Sequence, residues 1–226
     1  SNGSPKWTLC MAVYACLKAM AVSPVIVYNV FDPSSHKEAV AAADIGVTDH
    51  IATLSLDALD TEALVVKASS ESSALVKGTD YDVYYDSKGC YVELLPDSLS
   101  YSAATLNIAY DKAKPEAITA SDIEAAVEKV EMCKSVVGIV PDLICAPGWS
   151  QTASVAAVMA AKAPNINGLY KAKAVVDLDT ATADDYADVL SVKNSNGYTS
   201  EDMIVCWPMV RIGDRMFDLS VIACAQ

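Results

Sequence analysis

The 226-residue sequence is short of the residues that mark several whole classes of protein. It has only nine glycines and nine prolines among 53% hydrophobic residues, which excludes collagen-like, low-complexity and disordered chains. A folded globular core follows. Basic residues are scarce as well: 16 Lys and Arg stand against 29 Asp and Glu, for a formal charge of −13. That balance argues against a nucleic-acid partner, because affinity for a phosphate backbone comes largely from Lys and Arg displacing counterions. No run is long and apolar enough for a bilayer, since the richest stretch, Met11 to Phe31, is broken by Lys18, Ser23 and Pro24. There is no C-x-x-C and no Cys/His cluster, so the seven cysteines read as free thiols rather than zinc ligands or disulfides. Nor is there a G-x-G-x-x-G or G-x-x-x-x-G-K loop, and no cofactor is expected. No secretory signal is read. Ser1-Asn2-Gly3 resembles a cloning scar and Gln226 follows an apolar run, so the chain is expected to be an excised piece of a longer protein.

What is present divides into two periodicities. Ser4-Pro5, followed by Cys10, Val13, Leu17 and Met20 at helical spacing, predicts a first helix over Pro5 to Met20. After Pro24, the β-branched run Val25 to Phe31 has no alternation and predicts a buried strand opening a parallel sheet. Turn residues Asp32 to Lys37 and a short Ala-rich stretch, Glu38 to Ala43, come next. From His50 the pattern alternates, predicting strands at Ile51 to Leu56, Ala63 to Ala68, Tyr81 to Tyr85, Cys90 to Leu95 and Thr105 to Tyr110. These form an expected all-β module, sandwich- or barrel-like, over residues 48–118. Its junctions are expected at Gly46 to Asp49 and Ala113 to Thr119.

Helical spacing returns after a capping box at Ser121 and Glu124 and ends near Gly138. A strand at Leu143 to Ala146, a turn at Pro147-Gly148-Trp149-Ser150 and a helix from Thr152 to Ala163 capped by Ser150 follow. Two more strands, Ala174 to Leu178 and Met203 to Trp207, flank a helix at Ala183 to Leu190. This order predicts an α/β fold, an open doubly wound sheet of residues 1–47 plus 119–226, with the β module inserted after its first strand.

Catalytic readings are weighed against plainer ones. Ser150 follows a buried strand as a nucleophile would, yet it lacks the G-x-S-x-G elbow and both histidines lie far upstream. A helix cap is the expected role. Asp177, Asp179, Asp184 and Asp185 offer carboxylates to a divalent cation, but Ala181, Thr182 and Asp188 break the EF-hand template, so capping is expected instead. Asp32 with His36 reads as turn chemistry rather than an acid–base pair. The tyrosines at 81, 84, 85, 91, 101 and 110 read as amphipathic strand residues or as a contact surface.

The run Tyr28-Asn29-Val30-Phe31-Asp32-Pro33 with His36-Lys37 resembles the strand and turn of contractile phage tail sheath proteins. Val76-Lys77-Gly78-Thr79-Asp80-Tyr81 resembles the entry to that family's inserted β domain. Pro141 to Gly148, with Pro147-Gly148 at its end, is similar to its strand and Pro-Gly segment, and Val176-Asp177 and Trp207-Pro208 fall at its later strand ends. The resemblance spans roughly Trp7 to Ala223, and the family's terminal assembly regions are expected to be missing. It implies a structural, non-enzymatic subunit of stacked hexameric rings around a tail tube, in a virion tail assembled in the bacterial cytoplasm. On that view Asn29, Asp32, Pro33, His36, Gly78, Asp80, Tyr81, Pro147, Gly148, Asp177 and Pro208 are structural positions. The partners are neighbouring subunits and the tube, with no nucleic acid or membrane, and this chain alone is a monomer. The competing readings are a small-molecule-binding α/β protein or hydrolase with a crevice near Asp32, Ser150 and Asp177, and a host-adhesion module.

Overall fold

Alternating side chains in the middle of the sequence produce a sheet with one dry face. In the computed structural model, which describes residues 8–225, seven strands form one antiparallel sheet within residues 31–117. They are β1 (Lys37–Thr48), β2 (Ile51–Leu54), β3 (Ala58–Leu59), β4 (Val65–Lys67), β5 (Tyr81–Tyr85), β6 (Cys90–Leu94) and β7 (Thr105–Ala113). The order is β3-β7-β1-β2-β6-β5, with β4 also on β7. Ala52, Leu54, Val66, Tyr81, Cys90, Val92, Leu94, Leu106 and Ile108 fill the inner face, as period-two burial requires. The ladder does not close into a barrel. Its end strands β3 and β5 are linked by a hydrogen bond from the Tyr85 hydroxyl to the Ala58 carbonyl, 3.1 Å.

The longest strand, β1, is where the Ala-rich stretch was expected to precede the module. Alanine is a poor strand former, and most of β1 is exposed. It is extended because it pairs with β7 from Lys37↔Ala113 to Gly46↔Thr105, with a bulge between Val40 and Ala43. The expected junction at Gly46 to Asp49 is therefore inside a hairpin. Asp49 and His50 form its two-residue turn, with φ of 51° and 67°, the left-handed pair that matches strand twist.

The described residues up to 30, together with those from 118 onward, make the second unit. It contains α1 (Thr8–Val13), a π-helical turn Tyr14–Ala19, α2 (Ala120–Glu128), a 3₁₀ turn Lys129–Met132, α3 (Cys133–Val137), β8 (Leu143–Cys145) and α4 (Ala153–Lys162). Then come β9 (Lys173–Asp177), α5 (Val189–Ser195), β10 (Met203–Cys206), β11 (Val210–Ile212), β12 (Arg215–Phe217) and α6 (Leu219–Cys224). β8, β9 and β10 form a parallel sheet with β9 in the middle. Ala174 and Val176 of β9 pack with Val155, Ala156 and Met159 of α4 and Ile123 and Val127 of α2. The alternate position Asp177 bonds Ser220 of α6, so helices cover both faces.

Residues 21–30 belong to no strand: Val25 and Val30 are half-buried while Val27, Tyr28 and Asn29 are exposed. The β-branched run favours extension, yet no described strand offers it a ladder. The expected helix start at Pro5 lies outside the described residues, and α1 changes to π geometry after Val13. The capping box sits two residues earlier, where Thr119 N–H and hydroxyl each donate to Asp122 Oδ2 at 2.7 Å. The helix expected at 183–190 forms only from Val189. Upstream, Asp179 Oδ1 accepts the Ala181 N–H at 3.0 Å and Asp185 Oδ1 the Ala187 N–H at 2.9 Å, turns that compete with helix.

Candidate functional site

Parallel strands end with their side chains gathered on one edge, and here three neighbouring strand ends bring Cys145, Asp177 and Cys206 to the carboxyl edge of the sheet. Asp177 is 5% exposed. A buried carboxylate must be hydrogen-bonded to persist, and this one is. Its Oδ1 accepts the Ser220 backbone N–H at 2.8 Å, and its Oδ2 accepts the Ser150 hydroxyl at 3.2 Å and the Ser220 hydroxyl at shorter range. Ser150 is completely buried, and its oxygen accepts the Asp177 N–H at 3.0 Å. The Tyr198 hydroxyl then donates to the Ser150 carbonyl at 2.8 Å.

Around this knot, burial raises Asp177, Asp218, Cys145 and Cys206 alike. Asp177 is pushed above the ordinary carboxylate range by desolvation, against the pull of its hydrogen bonds from Ser220, Ser150 and Leu219. Asp218, next to it, is pushed up to about 6 by burial and by the charge of Asp177, while the Gly148 N–H pulls it back. Gln151 Nε2 also reaches Asp218 Oδ1, at 3.4 Å. Burial raises the Cys206 thiol to about 11, and Cys145 is raised by its hydrogen bond with Cys224 and by burial. Thiols held in this way are poor nucleophiles.

The expected roles sort themselves against this geometry. Ser150 and Asp177 are brought together, but Ser150 is not the helix cap: Thr152 stands at the N-cap of α4, and the Ser150 hydroxyl is committed to Asp177. Ser150 has no exposure, its hydroxyl is committed to a buried carboxylate, and its own unit holds no histidine. Asp179, Asp184 and Asp185 do not converge with Asp177. Asp179 makes its own turn, with the Thr182 hydroxyl at 2.8 Å, and no three potential ligands gather among the described residues. Gly148, at φ 76°, takes the left-handed conformation glycine permits and donates to Asp218, which explains the Pro147-Gly148 pair locally. Trp207, before Pro208, donates its indole N–H to the Ala183 carbonyl at 2.8 Å.

In the other unit, Asp32 turns its carboxylate to the Ser34 N–H at 2.8 Å and to the Ser34 and Ser35 hydroxyls, bonds that hold it below the ordinary range, the Ser34 N–H first. His36 is buried, and its Nδ1 accepts the Asp32 backbone N–H at 2.9 Å. Carboxylate and imidazole therefore both serve the turn after Pro33. Gly78, at φ 78°, donates to the Tyr81 carbonyl, and Asp80 ties Val76 N–H at 2.8 Å to the Ser98 hydroxyl at 2.9 Å, so the segment leads Tyr81 into the core. The tyrosines do not share one surface. Tyr81 faces inward, Tyr101 stacks on His50 at 3.8 Å, and Tyr84 stacks on Tyr91 at 5.1 Å on the outer face. Ser220, Asp218 and Tyr198 carry no local signal, since their partners lie more than 40 positions away and no spacing marks them.

No protein-family model matches the chain, and no solved structure matches it. Among curated proteins it is similar to a tail sheath protein of Burkholderia phage BcepMu, 28% identical over 206 residues. The similarity covers 84% of this chain and 41% of that protein, so the chain spans about two-fifths of the relative's length.

Proposed function

We propose that this chain is the central part of a structural subunit of a contractile phage tail sheath. The observation that carries the reading is the similarity to a phage tail sheath protein over most of the chain. The quoted motifs at Tyr28 to Lys37, Val76 to Tyr81 and Pro141 to Gly148 support it, as does the role of each as a turn or packing device. On this reading the three-stranded parallel sheet is the centre of a doubly wound α/β core, and residues 31–117 are a β module carried on it. The chain is not an enzyme on this reading, and the buried polar knot at Asp177 fastens α6 to the sheet. Subunits assemble as hexameric rings stacked around a tail tube within the infected bacterium, and sheath shortening drives the tube through the envelope. Such a polymer needs heterologous contacts, in which one patch meets a different patch on the next copy.

Electron microscopy of the complete gene product tests this. Tubes or stacked rings are the expected result, and discrete particles alone, at concentrations where sheaths polymerise, would overturn it. By light scattering the 226-residue chain is expected to be a monomer at micromolar concentration, because its net charge of −13 opposes close approach of copies.

A further inference from the structure

The β5–β6 hairpin presents a surface that nothing in its own unit satisfies. Tyr84 lies opposite Tyr91, and the next outward row places Asp82 opposite Glu93. Like charges directly opposed across two strands destabilise a sheet. Both carboxylates are exposed, and neither has an ion-pair or hydrogen-bond partner among the described residues. Beside them the two tyrosine rings stack at 22°, with the Tyr91 hydroxyl donating to Asp86 at 3.0 Å. An aromatic pair flanked by two unpaired carboxylates is suited to a planar cation with apolar neighbours. The charge distribution points the same way. Residues 31–117 carry 15 acidic against six basic residues, a net 6 − 15 = −9, whereas the rest of the chain carries 10 − 14 = −4.

The chain supplies a matching surface in its other unit. Its only two arginines, Arg211 and Arg215, lie on the β11–β12 hairpin. Arg215 is held over the Tyr14 ring at 4.7 Å, and Val210, Ile212 and Phe217 face the core. The outward face carries the cross-strand pair Arg211 and Met216, their exposures being 68% of the side chain and 50% of the residue. Arg211 is 3.6 Å from the fully exposed Asp214, a pairing that solvent screens and that is easily exchanged.

We infer that the outer face of β5–β6 on one copy receives the β11–β12 hairpin of a second copy, Arg211 meeting Asp82 and Glu93 while Met216 lies on the Tyr84–Tyr91 pair. A guanidinium offers two parallel donors to a carboxylate, and a thioether packs well against aromatic rings. The two patches differ, so the contact is heterologous and propagates from copy to copy instead of closing in a symmetric dimer. Two short hairpins bury little area, and the contact is weak unless other links hold copies together. This deepens the assembly reading above, and rests on it only for the premise that copies meet.

Sedimentation equilibrium of the 226-residue chain at low salt, at concentrations up to about 1 mM, tests the contact at the affinity expected of so small an interface. Two charge-reversed variants are compared, Arg211→Asp and the double Asp82→Lys/Glu93→Lys, with circular dichroism confirming that each is folded. The unaltered chain associates, and association falls at least about tenfold once salt shortens the Debye length to about 8 Å. Each variant alone is monomeric, and their equimolar mixture associates again because wild-type and doubly reversed pairings both become available. The neutral double Asp82→Asn/Glu93→Gln also weakens association, without the repulsion. A chain that stays monomeric, variants that associate like the original, or a mixture that fails to recover would each overturn the contact. If the complete gene product forms tubes unaffected by Arg211→Asp, this contact is wrong and the sheath reading stands. If the mixture recovers but no tubes form, the reverse holds.

Discussion

The two units of this chain differ in what their carboxylates fasten. In the β unit they shape turns or join strands that the backbone already pairs: Asp32 binds Ser34, Asp80 binds Val76 four residues back, Asp86 accepts the N–H groups of Lys88 and Gly89 at 2.6 and 3.0 Å, and the distant bonds of Asp44 with Asn107 and of Asp111 with Lys37 lie along the β1–β7 ladder. In the α/β unit, Asp177 binds residues 27 and 43 positions away and ties strand, turn and helix together. Local bonds shape turns that water could largely satisfy instead. The distant ones hold tertiary structure, so their loss leaves buried groups with no substitute partner.

That difference sets an order of expected effects. Asp177→Ala is the severest change: it orphans the Ser150 and Ser220 hydroxyls and the Ser220 N–H in a dry interior, and is expected to cost about 3 kcal/mol or more. Urea unfolding of the purified variant measures this, and a loss below about 1 kcal/mol would erase the contrast between units. Ser150→Ala comes next, at about 1–3 kcal/mol, through the unpaired Asp177 N–H rather than through a lost helix cap. The unaltered protein should also remain unlabelled by a fluorophosphonate probe, whereas labelling of Ser150 would restore the hydrolase reading. In the β unit, Gly78→Ala forces a side chain into φ 78° with open space around it, so only backbone strain of about 1 kcal/mol is expected.

A pH series sharpens the same contrast. Asp218 titrates near 6 in the folded protein and near the ordinary carboxylate value when unfolded, so the folded state binds its proton more tightly. Its contribution therefore weakens stability as pH rises through about 6, and Asp177, shifted in the same direction, adds to the trend. Melting temperature should fall as pH rises from the ordinary carboxylate range to about 6 and level off above it. The slope should flatten in Asp218→Asn, and an unchanged slope in that variant would assign the dependence to other groups. Asp32 and Asp86, held below the ordinary range by local hydrogen bonds, act oppositely, losing stabilisation only as pH falls through their own low values. Both are fully solvated, so Asp32→Asn should leave the melting temperature nearly unchanged, the smallest effect in the series.

The same distinction decides what the amino-acid order makes legible. The alternation predicts β5 at both ends and β2, β4, β6 and β7 within a few residues, because a half-buried antiparallel strand writes its pattern locally. β1 was missed because its alanines carry no strand signal, and its extension comes from pairing with a segment some seventy residues away. The run at Val25 to Phe31 failed in the opposite sense: its β-branched residues favour a strand, but a strand also needs a neighbour. Of the candidate site, Ser150 and Asp177 were each visible as residues at strand ends. Their bond to one another was not, and Ser220 left no trace at all, because hydrogen bonds across 43 residues have no spacing rule.

The way residues 8–30 return to the far end of the chain has a consequence for biosynthesis. Ala15 and Cys16 are buried against Phe217, Val221, Ile222 and Ala225, some two hundred residues downstream. On the ribosome the first helical segment must therefore wait, its apolar face uncovered, until almost the whole chain has emerged. The β unit, uninterrupted from 31 to 117, has all its strands in hand much earlier and is free to fold first, as contiguous units generally do during synthesis. Its early folding also brings residues 30 and 118 out of the random coil, shortening the loop that the late-closing unit has to bridge. A nascent chain stalled soon after residue 117 should thus already protect the β1–β7 amides from hydrogen exchange, while the helical segment at the N-terminus stays open to protease.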